Sequence, residues 1–238
     1  MIKIGITGGI GSGKSYVSHL LEKAGIPVYD TDTEAKKLTL SHPRIREGLL
    51  ALLGEEVYKA DGSLNKPVLA SYLFASAENA GRVNRIIHPC VHEDFQQWAD
   101  RQAASGTEVV AMESAILFES GFHAIVDYVV MVYAPLELRI TRAMQRDAAT
   151  EAQIKARISA QMDDEEKKRR ADYVIFNDEK LQLDTQIAAL EEWLAYRKTG
   201  QIPALRPKLL LLHQYTWQYR PMRLPCHWHR PVLFSFLH

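Results

Sequence analysis

The stretch GITGGIGSGKS at residues 5–15 constrains this chain more than any other. Gly8, Gly9, Gly11 and Gly13 crowd a segment between an apolar run and an amphipathic one. Glycine is disfavoured in strands and helices, so backbone must pass here where no side chain can stand. Ahead of it, Ile2, Ile4 and Ile6 mark a short buried strand over residues 1–6. Behind it, Val17, Leu20, Leu21 and Ala24 recur at i, i+3, i+4 and i+7, one face of a helix. Gly25 and Pro27 then end that helix. Gly8, Gly13, Lys14 and Ser15 fit the strand–loop–helix pattern G-x-x-x-x-G-K-[ST]. In that pattern backbone N–H groups surround phosphate oxygens, the lysine reaches the β and γ phosphates, and the hydroxyl binds Mg²⁺. The loop implies a nucleoside triphosphate and leaves open where the phosphate goes.

The rest of the chain reads as an α/β layered fold. Short apolar runs at 27–29, 109–112, 128–133 and 173–176 are strands, separated by helical text, which implies parallel pairing. Residues 33–106 are mostly helical and too long for a simple crossover, so they read as an inserted substrate module. Within them, 68–74, 83–87 and a piece carrying Phe95, Trp98 and Ala99 read as separate helices. Residues 136–146, 151–161 and 181–196 are helical as well. The block DDEEKKRR at 163–170 reads as a solvated helix face.

With 238 residues, the chain suits one core with an insertion. Its formal net charge is zero, which disfavours a nucleic-acid scaffold. Two cysteines provide no disulfide framework. The apolar stretches are too short to span a bilayer, and the first residues lead straight into a strand. A cytoplasmic protein without membrane or nucleic-acid partners, monomeric or weakly self-associating, is the expectation.

Three classes share such a loop: regulatory GTPases, mechanical ATPases and small-molecule kinases. A guanine-reading Asn-Lys-x-Asp run is missing, since Asn65-Lys66 is followed by Pro67-Val68. Met112-Glu113-Ser114 is a weak substitute for the acidic pair of a mechanical ATPase. A kinase needs a carboxylate near the acceptor hydroxyl and arginines over the transferring phosphoryl. Asp32 lies just past the second strand, at the sheet edge where ligands bind. Asp30, Thr31 or Asp32 must also cap the helix that follows, and one residue can serve as both cap and functional carboxylate, so Asp32 is read as either or both. Arg139, Arg142 and Arg146 recur along one helix, and a cationic stripe of this kind suits a phosphate clamp.

Taken in order, TGGIGSGKS, YDTD, IIHP, LFESG, TRAMQRD and ADYVIFND resemble the pattern of dephospho-coenzyme A kinases, over residues 2 to about 196. The resemblance implies a P-loop NTPase three-layer sandwich with a five-stranded parallel sheet, a helical substrate-binding insertion and a lid. It implies ATP-dependent phosphorylation of the ribose 3′-hydroxyl of dephospho-coenzyme A, the last step of coenzyme A synthesis, with Mg²⁺ held partly by Ser15. Gly9, Ile10, Gly11, Ser12, Gly13, Lys14, Ser15 and Tyr16 would bind the nucleotide, with Asn177 beside the adenine. Asp32 would be the base, and Lys14, Arg142 and Arg146 would complete the catalytic set. Asp32, His88, Pro89 and Glu119 would meet the coenzyme substrate. The implied division is a core of 1–32, 107–137 and 171–200, a coenzyme-binding domain of 33–106, a lid of 138–170, and a peripheral or disordered tail of 201–238. Two departures from the family pattern stand out. Ala115 replaces a proline that often precedes the LFESG block, and residues 209–238 have no counterpart.

Overall fold

A computed structural model describes residues 1–200; the tail expected to be peripheral lies outside the described residues. Five parallel strands form one sheet: β1 (Ile2–Thr7), β2 (Val28–Asp30), β3 (Val109–Glu113), β4 (Tyr128–Tyr133) and β5 (Tyr173–Phe176), in the order β2-β3-β1-β4-β5. The central strand β1 pairs with β3 and β4, so that Ile4 stands beside Ala111 on one side and Tyr128 on the other. A parallel strand flanked on both sides is covered on both faces, and Ile4 and Ile6 are fully buried. The strands lie close to where the apolar runs placed them, and β4 and β5 match those runs residue for residue.

Helices fill the connections. After α1 (Lys14–Lys23) and β2 come α2 (Thr31–Ser41), α3 (Pro43–Leu53), α4 (Lys66–Ala75) and α5 (Ala77–Ala104). Between β4 and β5 lie α6 (Leu136–Asp147), α7 (Glu151–Ser159) and α8 (Asp164–Arg170), and α9 (Leu183–Thr199) follows β5. The segment divides into two units, Met1–Ile187 and Ala188–His238; the sheet and everything described below lie in the first.

The separate helices expected at 83–87 and around Phe95 are one helix of 28 residues. It runs through Pro89, which has no N–H to return to the preceding turn and costs a helix interior a few kcal/mol. Packing outweighs that cost, because α5 belongs to two cores. Its first half gives Val83 and Cys90 to a cluster with Ile45, Leu49, Val57, Tyr58 and Leu69 of the helical insertion. Its second half gives Val91, Phe95 and Ala99 to a cluster beneath the sheet with Tyr29, Met112, Leu117, Phe122 and Met131. Phe95 contacts the Tyr29 ring edge-on at 5.4 Å between centroids, and the Tyr29 hydroxyl donates to Asp94 at 2.6 Å. Burial and that neighbouring carboxylate push the phenol well above its ordinary range.

The acidic-basic block at 163–170 departs from its reading as a solvated face. Lys167 is fully buried. Its ammonium donates to the Ala115 carbonyl at 2.8 Å and pairs with Glu119 Oε1 at 3.0 Å. Burial pulls the Lys167 ammonium below its usual value, although the Glu119 carboxylate opposes that. Elsewhere on α8, a helix of 7 residues, Glu165 and Arg169 face solvent, whereas Asp164 and Lys168 are largely covered. One inward lysine in a run of eight charges leaves no periodic trace in the sequence.

Phe95→Ala should lower stability by about 3–5 kcal/mol, the usual range for emptying a fully buried aromatic site. Urea titration followed by far-UV circular dichroism reads this directly. A change below 1 kcal/mol would mean that α5 does not anchor the insertion to the sheet.

Candidate active site

The loop from Gly8 to Gly13 leaves β1 and turns into α1 at the carboxyl edge of the sheet. Gly8, Gly11 and Gly13 have φ of 150°, 78° and 88°, values that side chains rarely tolerate. Packing forbids side chains here as well. A Cβ at Gly8 would run into the Val132 carbonyl, one at Gly11 into the Arg139 backbone, and one at Gly13 into the Asn177 amide. This is the cradle that the glycine spacing implies, and its N–H groups open α1 with Gly13 as left-handed N-cap.

Lys14 lies across the loop, with its ammonium 3.4 Å from the Gly9 carbonyl. Burial lowers its pKa from 10.5 to about 8, against the charges of Glu113 and Asp32, which hold it up. Asp32, just past β2, lies near enough for its charge to act on Lys14. Ser15 donates its hydroxyl to Glu113 Oε1 at 3.0 Å. Glu113 ends β3, and its carbonyl accepts from the Thr31 hydroxyl at 2.8 Å, which ties β2 to the site. Tyr16 follows on α1 and is exposed.

The capping question at Asp30–Asp32 has a definite answer. Asp30 is the N-cap of α2: its carboxylate accepts from the N–H groups of Asp32 at 3.0 Å and Thr33 at 3.3 Å. Asp32 therefore sits in the first turn with an exposed side chain that is not needed for the cap.

The arginine stripe on α6 splits three ways. Arg139 is 3% exposed, pairs with Asp164 and donates through Nε to the Ile10 carbonyl at 2.9 Å. Arg142 donates to the Asn177 carbonyl and to Glu179 Oε1, each at 3.0 Å. Arg146 is 61% exposed and is held by Asp147, which also takes Arg157. Asn177 secures the loop from its far side, donating through its amide to the Ser12 carbonyl at 2.8 Å. The structure thus gathers Lys14, Ser15, Asp32, Arg142 and Asn177 around the loop, and leaves Arg146 engaged at the end of its own helix.

The remaining expected residues lie by a second opening. His88 and Pro89, in mid-α5, line a cleft of about 400 Å³ with Arg85, His92, Ser120 and Phe122. The His88 ring lies 5.3 Å from that of Phe122, and burial pushes its imidazole pKa below the ordinary value. Glu119 precedes Ser120 on the loop bordering this cleft. Its carboxylate accepts from the Met162 N–H at 2.8 Å and meets Lys167. Burial acts to raise its pKa, but these hydrogen bonds and the Lys167 charge outweigh it and hold the group below the usual range. The sequence reading missed Glu113, whose position at the end of an apolar strand was the available signal, and Gln161, whose Oε1 accepts from the Ile10 N–H at 3.2 Å.

A nucleoside triphosphate fits these residues. The loop is a positive-φ cradle that any Cβ would fill, and a partly desolvated ammonium lies beside it. A magnesium ion fits too. Ser15 and Glu113 set two hard oxygen donors side by side, and Mg²⁺ in phosphoryl-transfer sites is held by one or two protein oxygens plus phosphates. Among the described residues there is no group of three or more His, Cys, Asp or Glu that could hold a metal.

Fold and loop define a P-loop kinase architecture, and the comparisons narrow it. The profile of the family described as Dephospho-CoA kinase matches residues 2–182. A dephospho-CoA kinase from Bacteroides fragilis strain YCH46 is 56% identical over 197 residues, covering 83% of this chain and 94% of that protein. One from Porphyromonas gingivalis is 43% identical over 178 residues, covering 74% and 86%. A solved structure from Thermus thermophilus superposes with a TM-score of 0.69 at 36% identity, over 82% of this chain and 96% of that one. The chain belongs to the dephospho-CoA kinase family.

The partly buried, poorly solvated ammonium of Lys14 has a thermodynamic signature. Below about pH 8 it is charged in folded and unfolded chains alike, and its desolvation weakens the fold. Between about pH 8 and 10.5 only the unfolded chain keeps the proton, so this cost fades. Lys14→Met should therefore raise the melting temperature of the nucleotide-free protein at pH 7, by a margin that shrinks as pH rises above 8. The same change should cut turnover by about 10²–10³ or more, as loss of a preorganised donor does. Scanning calorimetry at several pH values checks it. An unchanged or lower melting temperature at pH 7 would contradict the desolvated lysine.

Proposed function

We propose that this chain transfers the γ-phosphoryl group of ATP to the ribose 3′-hydroxyl of dephospho-coenzyme A, giving coenzyme A and ADP. The observation that carries this reading is the convergence of Lys14, Ser15, Glu113 and Asp32 at the carboxyl edge of one sheet, in a chain of this family. The loop amides and Lys14 bind the β and γ phosphates and meet the charge that grows on the bridging oxygen. Ser15 and Glu113 are the residues that would hold Mg²⁺, which supplies neutralisation of the β- and γ-oxygens when bound. Asp32, relieved of capping by Asp30, accepts or orients the proton of the acceptor hydroxyl. Arg142 exchanges its carbonyl and Glu179 partners for the transferring group, and Arg146 leaves Asp147 to join it as the helices of 138–170 close as a lid. Asn177, which already fixes Ser12, lies where the adenine would approach. Lid closure also keeps water from competing as acceptor.

The coenzyme end of the acceptor belongs in the cleft of His88, Pro89 and Arg85, within the helical domain of 33–106. Arg85 offers an anionic ligand a cation there, His88 and His92 offer it ring N–H groups, and Glu119 joins that wall through the loop it anchors. Catalysis then rests almost wholly on positioning and electrostatics, since phosphoryl transfer asks little covalent help of the protein. Among the described residues no helix is long and apolar enough to cross a membrane.

Asp32→Asn tests the proposed base while leaving the Asp30 cap in place. Its melting temperature and ATP affinity should stay near wild type, and turnover with dephospho-coenzyme A should fall by about 10²–10⁴, the usual effect of removing a general base. A thermal melt and a coupled ADP-release assay on one preparation read both. A variant that melts normally and turns over near the wild-type rate would remove Asp32 from the role.

A further inference from the structure

Ile10, at the tip of the phosphate loop, is held on all its sides by one segment of the chain. Its carbonyl accepts from Arg139 Nε of α6 at 2.9 Å. Its N–H donates to Gln161 Oε1, between α7 and α8, at 3.2 Å. Its side chain packs on the cluster of Ile140, Ala143 and Ile154 from α6 and α7. Arg139 is in turn fixed by Asp164 at the start of α8. Its guanidinium fills the space where a Cβ on Gly9 would stand, and its backbone fills that at Gly11. A buried guanidinium spanning a loop carbonyl and a carboxylate is a rigid, planar fork that a lysine cannot copy.

We propose that Arg139 and Gln161 are positioning residues that set the conformation of the phosphate loop before the nucleotide binds. Neither touches the reacting atoms. They act through the Ile10 peptide groups, which they orient so that the neighbouring N–H groups face the phosphates before ATP arrives. In a free loop, positive-φ glycines sample many conformations, and ordering them on binding would weaken affinity. Anchoring from α6 also links the loop to Arg142, one turn further along the same helix.

This inference rests on the loop's being an ATP site, and ATP binding measured without acceptor keeps it distinct from the choice of acceptor. The variants are Gln161→Leu, Arg139→Lys and the pair Arg139→Met with Asp164→Leu, which removes both buried charges together so that neither is stranded. Calorimetric titration with MgATP alone should show about tenfold weaker binding for Gln161→Leu and for Arg139→Lys, in line with one loop hydrogen bond lost. The double variant should bind at least as weakly. KM for ATP should rise by a similar factor, KM for dephospho-coenzyme A should stay within about twofold, and Gln161→Leu should melt like wild type. Gln161→Asn, with the same amide one bond shorter, should recover less than half of the loss. Wild-type ATP affinity in Gln161→Leu and in any folded Arg139 variant would overturn the proposal, as would equal rises in both KM values. Wild-type protein that binds ATP but does not turn over dephospho-coenzyme A would sink the acceptor assignment and leave this inference standing.

Discussion

Everything at this site depends on a backbone held where backbone does not settle unaided. The loop of Gly8 to Gly13 takes positive φ at three of its glycines, so it must be fixed from behind. Two side chains do so from opposite ends: Arg139 on the Ile10 carbonyl and Asn177 on the Ser12 carbonyl. Each comes from an element following a strand on the same side of β1, Arg139 after β4 and Asn177 after β5. Sheet order thus decides which residues can reach the loop. The parallel register of β1 with β4 sets Val132 against Gly8, and the loop has one path left.

Charge at the site follows the same logic of position. Lys14 is held in a place where an ammonium is poorly solvated, which is costly in the free protein and useful once phosphates arrive. Glu113 and Asp32 partly compensate, and Glu113 is already engaged by the Ser15 hydroxyl. A site with its cation already desolvated does not need to strip it of water at the moment of transfer.

Much of this was legible in the sequence, and the reason lies in locality. Strand, glycine loop and helix are written within 23 residues, and each strand is a self-contained apolar run. Asp30 and Asp32 were visible as a pair, but which of them caps α2 depends on rotamers that sequence does not encode. The residues missed are those whose role comes from distant partners. Lys167 sits among exposed charges in the text and reaches Ala115 and Glu119 across 52 and 48 positions. Arg139 looks like one more cation on a stripe, because its partners Ile10 and Asp164 come from other elements. The continuity of α5 through Pro89 was hidden for a related reason. A proline speaks against a helix locally, and the two cores that overrule it are built from residues far away.

The site hands the terminal phosphoryl of ATP to one ribose hydroxyl. Phosphorus NMR of a reaction mixture of the protein, MgATP and dephospho-coenzyme A tests it most directly. ADP and a new phosphomonoester resonance should appear in equal amounts, with proton–phosphorus coupling that places the new group on the ribose 3′-carbon. Release of inorganic phosphate alone, or a phosphomonoester on any other position, would contradict it.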